Sequence, residues 1–183
     1  QAGLEELLGS LQAAGHSAIA VTADTSNREQ MNHVAQSAIN EFGRIDVLLN
    51  NAGIMPLGFY SDHHAAADAW DKCIDINFRG VLNGITAVYD QMISQNVGHV
   101  VNMSSIYGNF PVAGAAVYGA TKAAVNYLSD SLRVESQGRI KVTTIRPTGV
   151  PGTALGAGII NPRALAGILG ANNDSYMEKF QAL

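Results

Sequence analysis

Leu4, Leu7, Leu8 and Leu11 recur at i, i+3, i+4 and i+7, so the first fourteen residues predict an amphipathic helix, ended by Gly15. The short apolar run Ser17 to Ala23 predicts a buried strand. Ser26-Asn27-Arg28-Glu29 then matches a capping box, with Ser26 as the helix N-cap and Glu29 returning a hydrogen bond. The helix it opens carries Met31, Val34, Ala35, Ala38 and Phe42 on one face, and Gly43 ends it. Ile45 to Asn50 predicts a second strand, running into the turn cluster Asn51-Ala52-Gly53. From about Ala65 to Gln95, Trp70, Ile74, Asn77, Phe78, Val81, Ile85, Val88 and Met92 recur at helical spacings. His99 to Met103 predicts a strand, Ser104 to Ala116 a loop, Val117 to Glu135 a helix, and Ile140 to Ile145 a strand. Gly- and Pro-containing sequence follows from Pro147 to Gly158, then helical pieces to the end.

Strands that are apolar throughout and alternate with helices belong to parallel sheets covered on both faces. With right-handed crossovers, the pattern predicts a three-layer, doubly wound α/β sheet of Rossmann type, in one domain over residues 1–183. Ligands of such sheets bind beyond the carboxyl ends of the strands. Those ends are Asp24-Thr25, Asn50 to Gly53, Ser104-Ser105 and Pro147-Thr148. A domain that opens inside a helix, without an initiator methionine, reads as part of something longer.

Composition narrows the function. The 183 residues carry a formal charge of −4, with 14% charged residues and no charge runs. That balance disfavours nucleic acid and anionic membrane surfaces as partners. No apolar run approaches the 18 or so residues of a membrane span, and the acidic start does not resemble a signal peptide. One cysteine, Cys73, allows no internal disulfide, so a reducing cytoplasm is the expected compartment. The five histidines show no metal-ligand spacing, and His63-His64 are adjacent, so their side chains diverge. No metal is expected.

The sharpest chemical feature is Tyr118-Gly119-Ala120-Thr121-Lys122. Four residues apart on a helix, Tyr118 and Lys122 share a face. A phenol ionises near pH 10, and a neighbouring ammonium lowers that value, so the pair suits proton exchange in an alcohol–ketone conversion. Ser104 and Ser105 close a strand at the ligand end of the sheet, where serine also serves as an ordinary turn residue. Asn77 lies on an apolar stripe, so it must be buried and hydrogen-bonded. Gly53 lets a backbone come close to a ligand, and Asp24 is placed to accept bonds from a base or ribose or to begin a turn.

Taken in order, Leu48-Leu49-Asn50-Asn51-Ala52-Gly53, Asn77, Val101-Asn102-Met103-Ser104-Ser105 and Tyr118-x-x-x-Lys122 resemble the classical short-chain dehydrogenase/reductase family over nearly the whole chain. In that family the catalytic serine precedes the tyrosine by 13 residues, which selects Ser105 over Ser104. The resemblance implies hydride transfer between NAD or NADP and an alcohol or ketone. Tyr118 would exchange the proton. Lys122 would lower the tyrosine pKa and hold the nicotinamide ribose, Ser105 would hold the substrate oxygen, and Asn77 would anchor a water in a relay with Lys122. It also implies cofactor contacts at Asp24, Asn51, Ala52, Gly53, Pro147, Val150 and Thr153, besides Tyr118 and Lys122.

The chain departs from the family pattern in two places. The Gly-rich βαβ unit that cradles the pyrophosphate and the family's last strand are not found within these 183 residues, so the natural protein is expected to be longer at both ends. The family's Pro-Gly reads Pro147-Thr148-Gly149-Val150-Pro151-Gly152-Thr153 here. Two other functions exist on this scaffold. Halide-releasing relatives replace the lysine with arginine, which Lys122 opposes. Non-catalytic cofactor-binding modules lose the tyrosine or lysine, and both are present. Ile106, Tyr107, Phe110, Val112 and Ala154 to Leu169 are expected to wall a hydrophobic substrate pocket. Ala116, Ala123, Tyr127 and Val134, with Leu82, Ala87 and Tyr89, leave apolar side chains outside the core-facing stripes. They predict a homodimer or homotetramer, as in the family.

Overall fold

The computed structural model describes residues 2–150 and 153–165. Its elements are α1 (Ala2–Ala13), α2 (Arg28–Phe42), β1 (Val47–Asn50), α3 (His63–Ile74), α4 (Gly80–Gln95), β2 (His99–Met103), α5 (Ala116–Glu135) and β3 (Lys141–Ile145). The strands form one parallel sheet in the order β1-β2-β3. Val47 stands opposite His99, and His99 opposite Lys141, so the three carboxyl ends finish side by side.

Most predicted elements form within a residue or two of their expected bounds. Gly15 and Gly43 adopt φ of 84° and 77°, the left-handed conformation expected at helix ends. Two expectations fail. Ser17 to Ala23 is not a strand: the sheet of the described residues has three strands, and this segment joins none of them. Apolar sequence makes a strand only when a neighbour supplies the ladder. The N-cap of α2 is Asn27, whose side chain accepts from the Gln30 amide, and the helix starts at Arg28. Ser26 is not the cap because Asp24 takes both its amide (2.9 Å) and its hydroxyl (2.8 Å) in an Asx turn.

The single long helix expected from Ala65 to Gln95 is interrupted. Asp75–Arg79 winds as a π-helical turn between α3 and α4, and the Gly80 amide reaches back five residues to the Asp75 carbonyl. Such turns are rare and widen the helix locally. Asn77 sits inside this one, fully buried.

Helices α2, α4 and α5 pack over one face of the sheet. Val100 and Val142 meet Val81, Ile85, Val88 and Met92 of α4 and Val125 and Leu132 of α5 in one core cluster. A polar chain threads this face: Asn50 Nδ2 donates to Asn102 Oδ1 (2.8 Å), and Asn102 Nδ2 donates to Ser129 Oγ (2.9 Å). Buried amides satisfied in this way hold β1, β2 and α5 in register. Gly84 permits the approach of α4, because a Cβ there would lie 2.2 Å from Asn50 Oδ1. On the opposite face Val47 (59% exposed), Leu49 (56%) and Ile145 remain accessible among the described residues.

Candidate active site

Parallel strand ends bring residues far apart in sequence to one edge. The β2 end continues into Ser104 and Ser105, and the Ser104 amide still pairs with the Ile145 carbonyl (2.8 Å). The Ile106 amide bonds to the Pro147 carbonyl (3.0 Å), tying the ends of β2 and β3 together. Against them lies the first turn of α5, which carries Tyr118 and Lys122. Between these parts opens a cavity of about 370 Å³, lined by Asn51, Gly53, Ser105, Tyr118, Lys122 and Pro147, with Val150, Thr153, Ala154 and Leu155 closing one side.

The two serines have different partners. Ser104 Oγ donates to the Lys122 carbonyl (3.0 Å) and serves the helix backbone. Ser105 Oγ accepts from the Tyr107 amide (3.2 Å) and shares a hydrogen bond with the Tyr118 phenol. Lys122 Nζ donates to the Met103 carbonyl (2.8 Å) and lies 5.8 Å from the centre of the Tyr118 ring. Tyr118 and Lys122 are each 4% exposed.

Burial governs the electrostatics. It pushes the Tyr118 phenol above its ordinary value, against the Ser105 hydrogen bond, which pulls the other way. This corrects the expectation that Lys122 depresses the tyrosine: desolvation outweighs the favourable influences on the phenolate. Burial also lowers Lys122, to about 8, with Cys73 opposing the shift. Near neutral pH the site therefore holds a protonated phenol and a mostly protonated amine.

Asn77 stands behind the cavity and is not among its lining residues. Its Oδ1 accepts from the Ile54 amide (2.9 Å) and its Nδ2 donates to the Ile54 carbonyl (2.9 Å), clasping both backbone polar groups of one wall residue. Nδ2 also lies 3.2 Å from Thr121 Oγ1 and 3.3 Å from Cys73 Sγ. A Cβ added at Gly53 would sit 3.3 Å from Asn77 Oδ1 and 3.5 Å from Lys122 Nζ, so the bare glycine keeps a narrow slot open beside both groups.

The cavity gathers most of the residues singled out in the sequence, with exceptions. Asp24 is exposed, its carboxylate is engaged by Ser26, and it borders a separate shallow depression with Asp68, Asp71 and Lys72. Ala52 is exposed next to the lining residues Asn51 and Gly53. Of the expected pocket walls, Ala154 and Leu155 line the cavity. Tyr107 and Phe110 instead stack edge to face on each other. Val112 packs against the Leu57, Ala115 and Ala164 cluster, and Ile106 lies outside the lining; residues 166–169 fall outside the described residues. Ile54, Met103, Cys73 and Thr121 are contributions that sequence reading did not assign to the site. Only Thr121 left a signal: three residues beyond Tyr118, it shares that residue's side of the helix.

Comparison with known proteins agrees with this geometry. A family model described as short chain dehydrogenase matches residues 1–162. The chain is 38% identical over 143 residues to an uncharacterized oxidoreductase of Staphylococcus saprophyticus, covering 76% of this chain and 57% of that protein. It is 38% identical over 154 residues to an NADP-dependent 3-hydroxy acid dehydrogenase of Shigella flexneri, covering 84% and 60%. A crystal structure of a short chain dehydrogenase/reductase from Burkholderia phymatum in complex with NAD superposes with a TM-score of 0.79 at 30% identity, covering 85% of this chain and 56% of that one. The chain belongs to the short-chain dehydrogenase family, and its fold is the three-layer, Rossmann-like α/β class read from the strand and helix pattern. It spans about 60% of the length of the curated relatives it matches.

Among the described residues, no helix is long and apolar enough to cross a membrane, and no group of three or more His, Cys, Asp or Glu is placed to hold a metal ion.

Proposed function

We propose that the protein is an oxidoreductase that interconverts an alcohol and a ketone with NAD or NADP, and that Tyr118 is its acid–base group. The observation that carries this reading is the convergence of Ser105, Tyr118 and Lys122 on one cavity whose further lining residues, Asn51, Gly53, Pro147, Val150 and Thr153, match the family's cofactor positions. Asn51, Ala52, Gly53, Lys122, Pro147, Val150 and Thr153 would hold the cofactor, which supplies or accepts the hydride at the substrate carbon.

The chain's own residues handle the oxygen. In the reducing direction the Tyr118 phenol, kept neutral by burial, donates its proton to the carbonyl oxygen as negative charge develops there. Ser105 turns its single hydroxyl hydrogen from the phenol to the same oxygen and donates a second hydrogen bond there. Lys122 places a positive charge close to the tyrosine as the proton leaves it. Ile54, Leu155, Val150 and Met103 give the cavity an apolar wall, which suits a hydrophobic ketone or secondary alcohol.

The test is Tyr118→Phe in the intact protein, assayed with a panel of ketones by the absorbance of the reduced cofactor. The change removes one hydroxyl and keeps the ring. A loss of about 10²- to 10⁴-fold in kcat with an unchanged unfolding temperature is expected. Retention of more than about a tenth of wild-type kcat would show that Tyr118 is not the acid–base group.

The reading extends to assembly and location. Tyr127 and Val134 of α5 stand exposed, and an apolar groove runs between α4 and α5 along Leu82, Ile85, Tyr89, Leu128 and Leu132. These faces support a homodimer or homotetramer. Light scattering at micromolar concentration should return a mass above that of one chain. The lone, buried, free Cys73 supports a reducing compartment such as the cytoplasm.

A further inference from the structure

The Tyr118 and Lys122 side chains stand on the first turns of α5, and nothing in the helix itself sets where that turn sits relative to the cavity wall. One buried hydroxyl joins the two. Thr121 is 4% exposed, and its Oγ1 donates to the Tyr118 carbonyl (2.7 Å). The same oxygen accepts from Asn77 Nδ2 (3.2 Å), and Cys73 Sγ lies 3.9 Å away. Asn77 in turn clasps the backbone N–H and C=O of Ile54, a residue of the cavity wall. A threonine that bonds back to the carbonyl three residues earlier is common and by itself means little. Here the hydroxyl spends its remaining capacity on a residue 44 positions away, in a π-helical turn that no sequence periodicity would place there.

We propose that Thr121 is a positioning residue, whose hydroxyl locks the Tyr118 turn of α5 to the Asn77–Ile54 wall and so holds the phenol at Ser105. The proposal rests on the reading of Tyr118 as the acid–base group. The geometry explains the choice of a hydroxyl with two roles: a serine can replace it, and an apolar residue of equal size cannot. Without the hydroxyl, Asn77 keeps Ile54 and the Cys73 sulfur, so the wall stays in place while the helix turn loses its tie to it. Small displacements of an acid–base group are costly, because proton transfer requires hydrogen-bond reach.

The experiment uses Thr121→Val, Thr121→Ala and Thr121→Ser in the intact protein, with Tyr118→Phe as the reference. Steady-state reduction of a ketone is followed from about pH 6 to 11.5, so that the window reaches beyond the ordinary phenol range, and unfolding temperatures are recorded. Thr121→Val is expected to lower kcat about tenfold or more, with KM within about twofold. Its basic limb should move to higher pH, because a displaced phenol loses the Ser105 bond that favours its ionisation. Thr121→Ser should stay within about twofold of wild type with an unmoved profile. If Thr121→Val fails to fold, Thr121→Ala carries the same expectation.

Wild-type kcat and pH profile in the folded apolar variant would overturn the proposal. So would a serine variant as impaired as valine, because the methyl group would then be what matters. A drop in unfolding temperature with an unmoved kcat and profile assigns Thr121 to packing alone and also overturns it. If Tyr118→Phe itself retains activity, the acid–base reading falls and the positioning role falls with it. An inactive Tyr118→Phe beside a wild-type Thr121→Val removes only the positioning role.

Discussion

The carboxyl end of β2 and the turn at Asp24 are built alike in sequence. Each closes a short apolar segment with small polar residues, and each is a natural ligand position in a parallel α/β fold. In the structure they part. Ser105 is buried, bonded to Tyr118 and open to a cavity that also holds Gly53 and Pro147. Asp24 is exposed, folds back on Ser26, and lies outside that cavity. The difference is the ladder. Register pairing with β1 and β3 puts the β2 end between two other strand ends. Residues 17–23 pair with no strand among those described, and Asp24 is not among the residues lining the cavity at the shared edge of β1, β2 and β3. Chemistry in such a fold is assembled by strand pairing, and a polar residue at the end of an unpaired segment is free to satisfy itself locally.

The sharpest way to break this comparison is within the β2 end itself. Ser105→Ala should lower kcat by about 10²- to 10³-fold, the cost of removing one donor to developing charge. Ser104→Ala should leave kcat within about threefold and instead lower stability by about 1 kcal/mol, since its hydroxyl serves the Lys122 carbonyl. Steady-state kinetics and thermal unfolding on both variants separate the two. Equal kinetic losses would mean that the cavity does not distinguish them.

A smaller effect is expected at the other pole. Asp24→Ala removes the acceptor for the Ser26 amide and hydroxyl, which should lower the unfolding temperature slightly. Cofactor KM should change by no more than about twofold. A tenfold rise in cofactor KM at unchanged kcat would place Asp24 in the binding site and erase the contrast with Ser105.

Local signals in the chain were sufficient for much of this. The helix ends at Gly15 and Gly43 follow from glycine's freedom at positive φ. The shared face of Tyr118 and Lys122 follows from helical periodicity, whereas the choice of Ser105 over Ser104 came from the resemblance to the family, whose serine precedes the tyrosine by 13 residues. The N-cap of α2 was misplaced by one residue. Ser26 and Asn27 are both good caps, and the choice turned on Asp24 capturing the Ser26 hydroxyl, a competition between neighbours that residue preferences do not rank.

Residues a few positions apart are enough to set the order of elements, the helix ends, and which side chains share a helix face. Long-range packing sets the rest. It raised the Tyr118 phenol instead of lowering it, because desolvation depends on everything packed around the ring. It placed Asn77 on the Ile54 peptide and Thr121, contacts 23 and 44 residues long, by opening a π-helical turn where periodicity predicts uninterrupted α-helix. It also left Ser17 to Ala23 unpaired while pairing equally apolar neighbours. A hydrogen bond between distant segments needs both partners brought together by the same packing, so burial, pairing and pKa are set jointly by the fold.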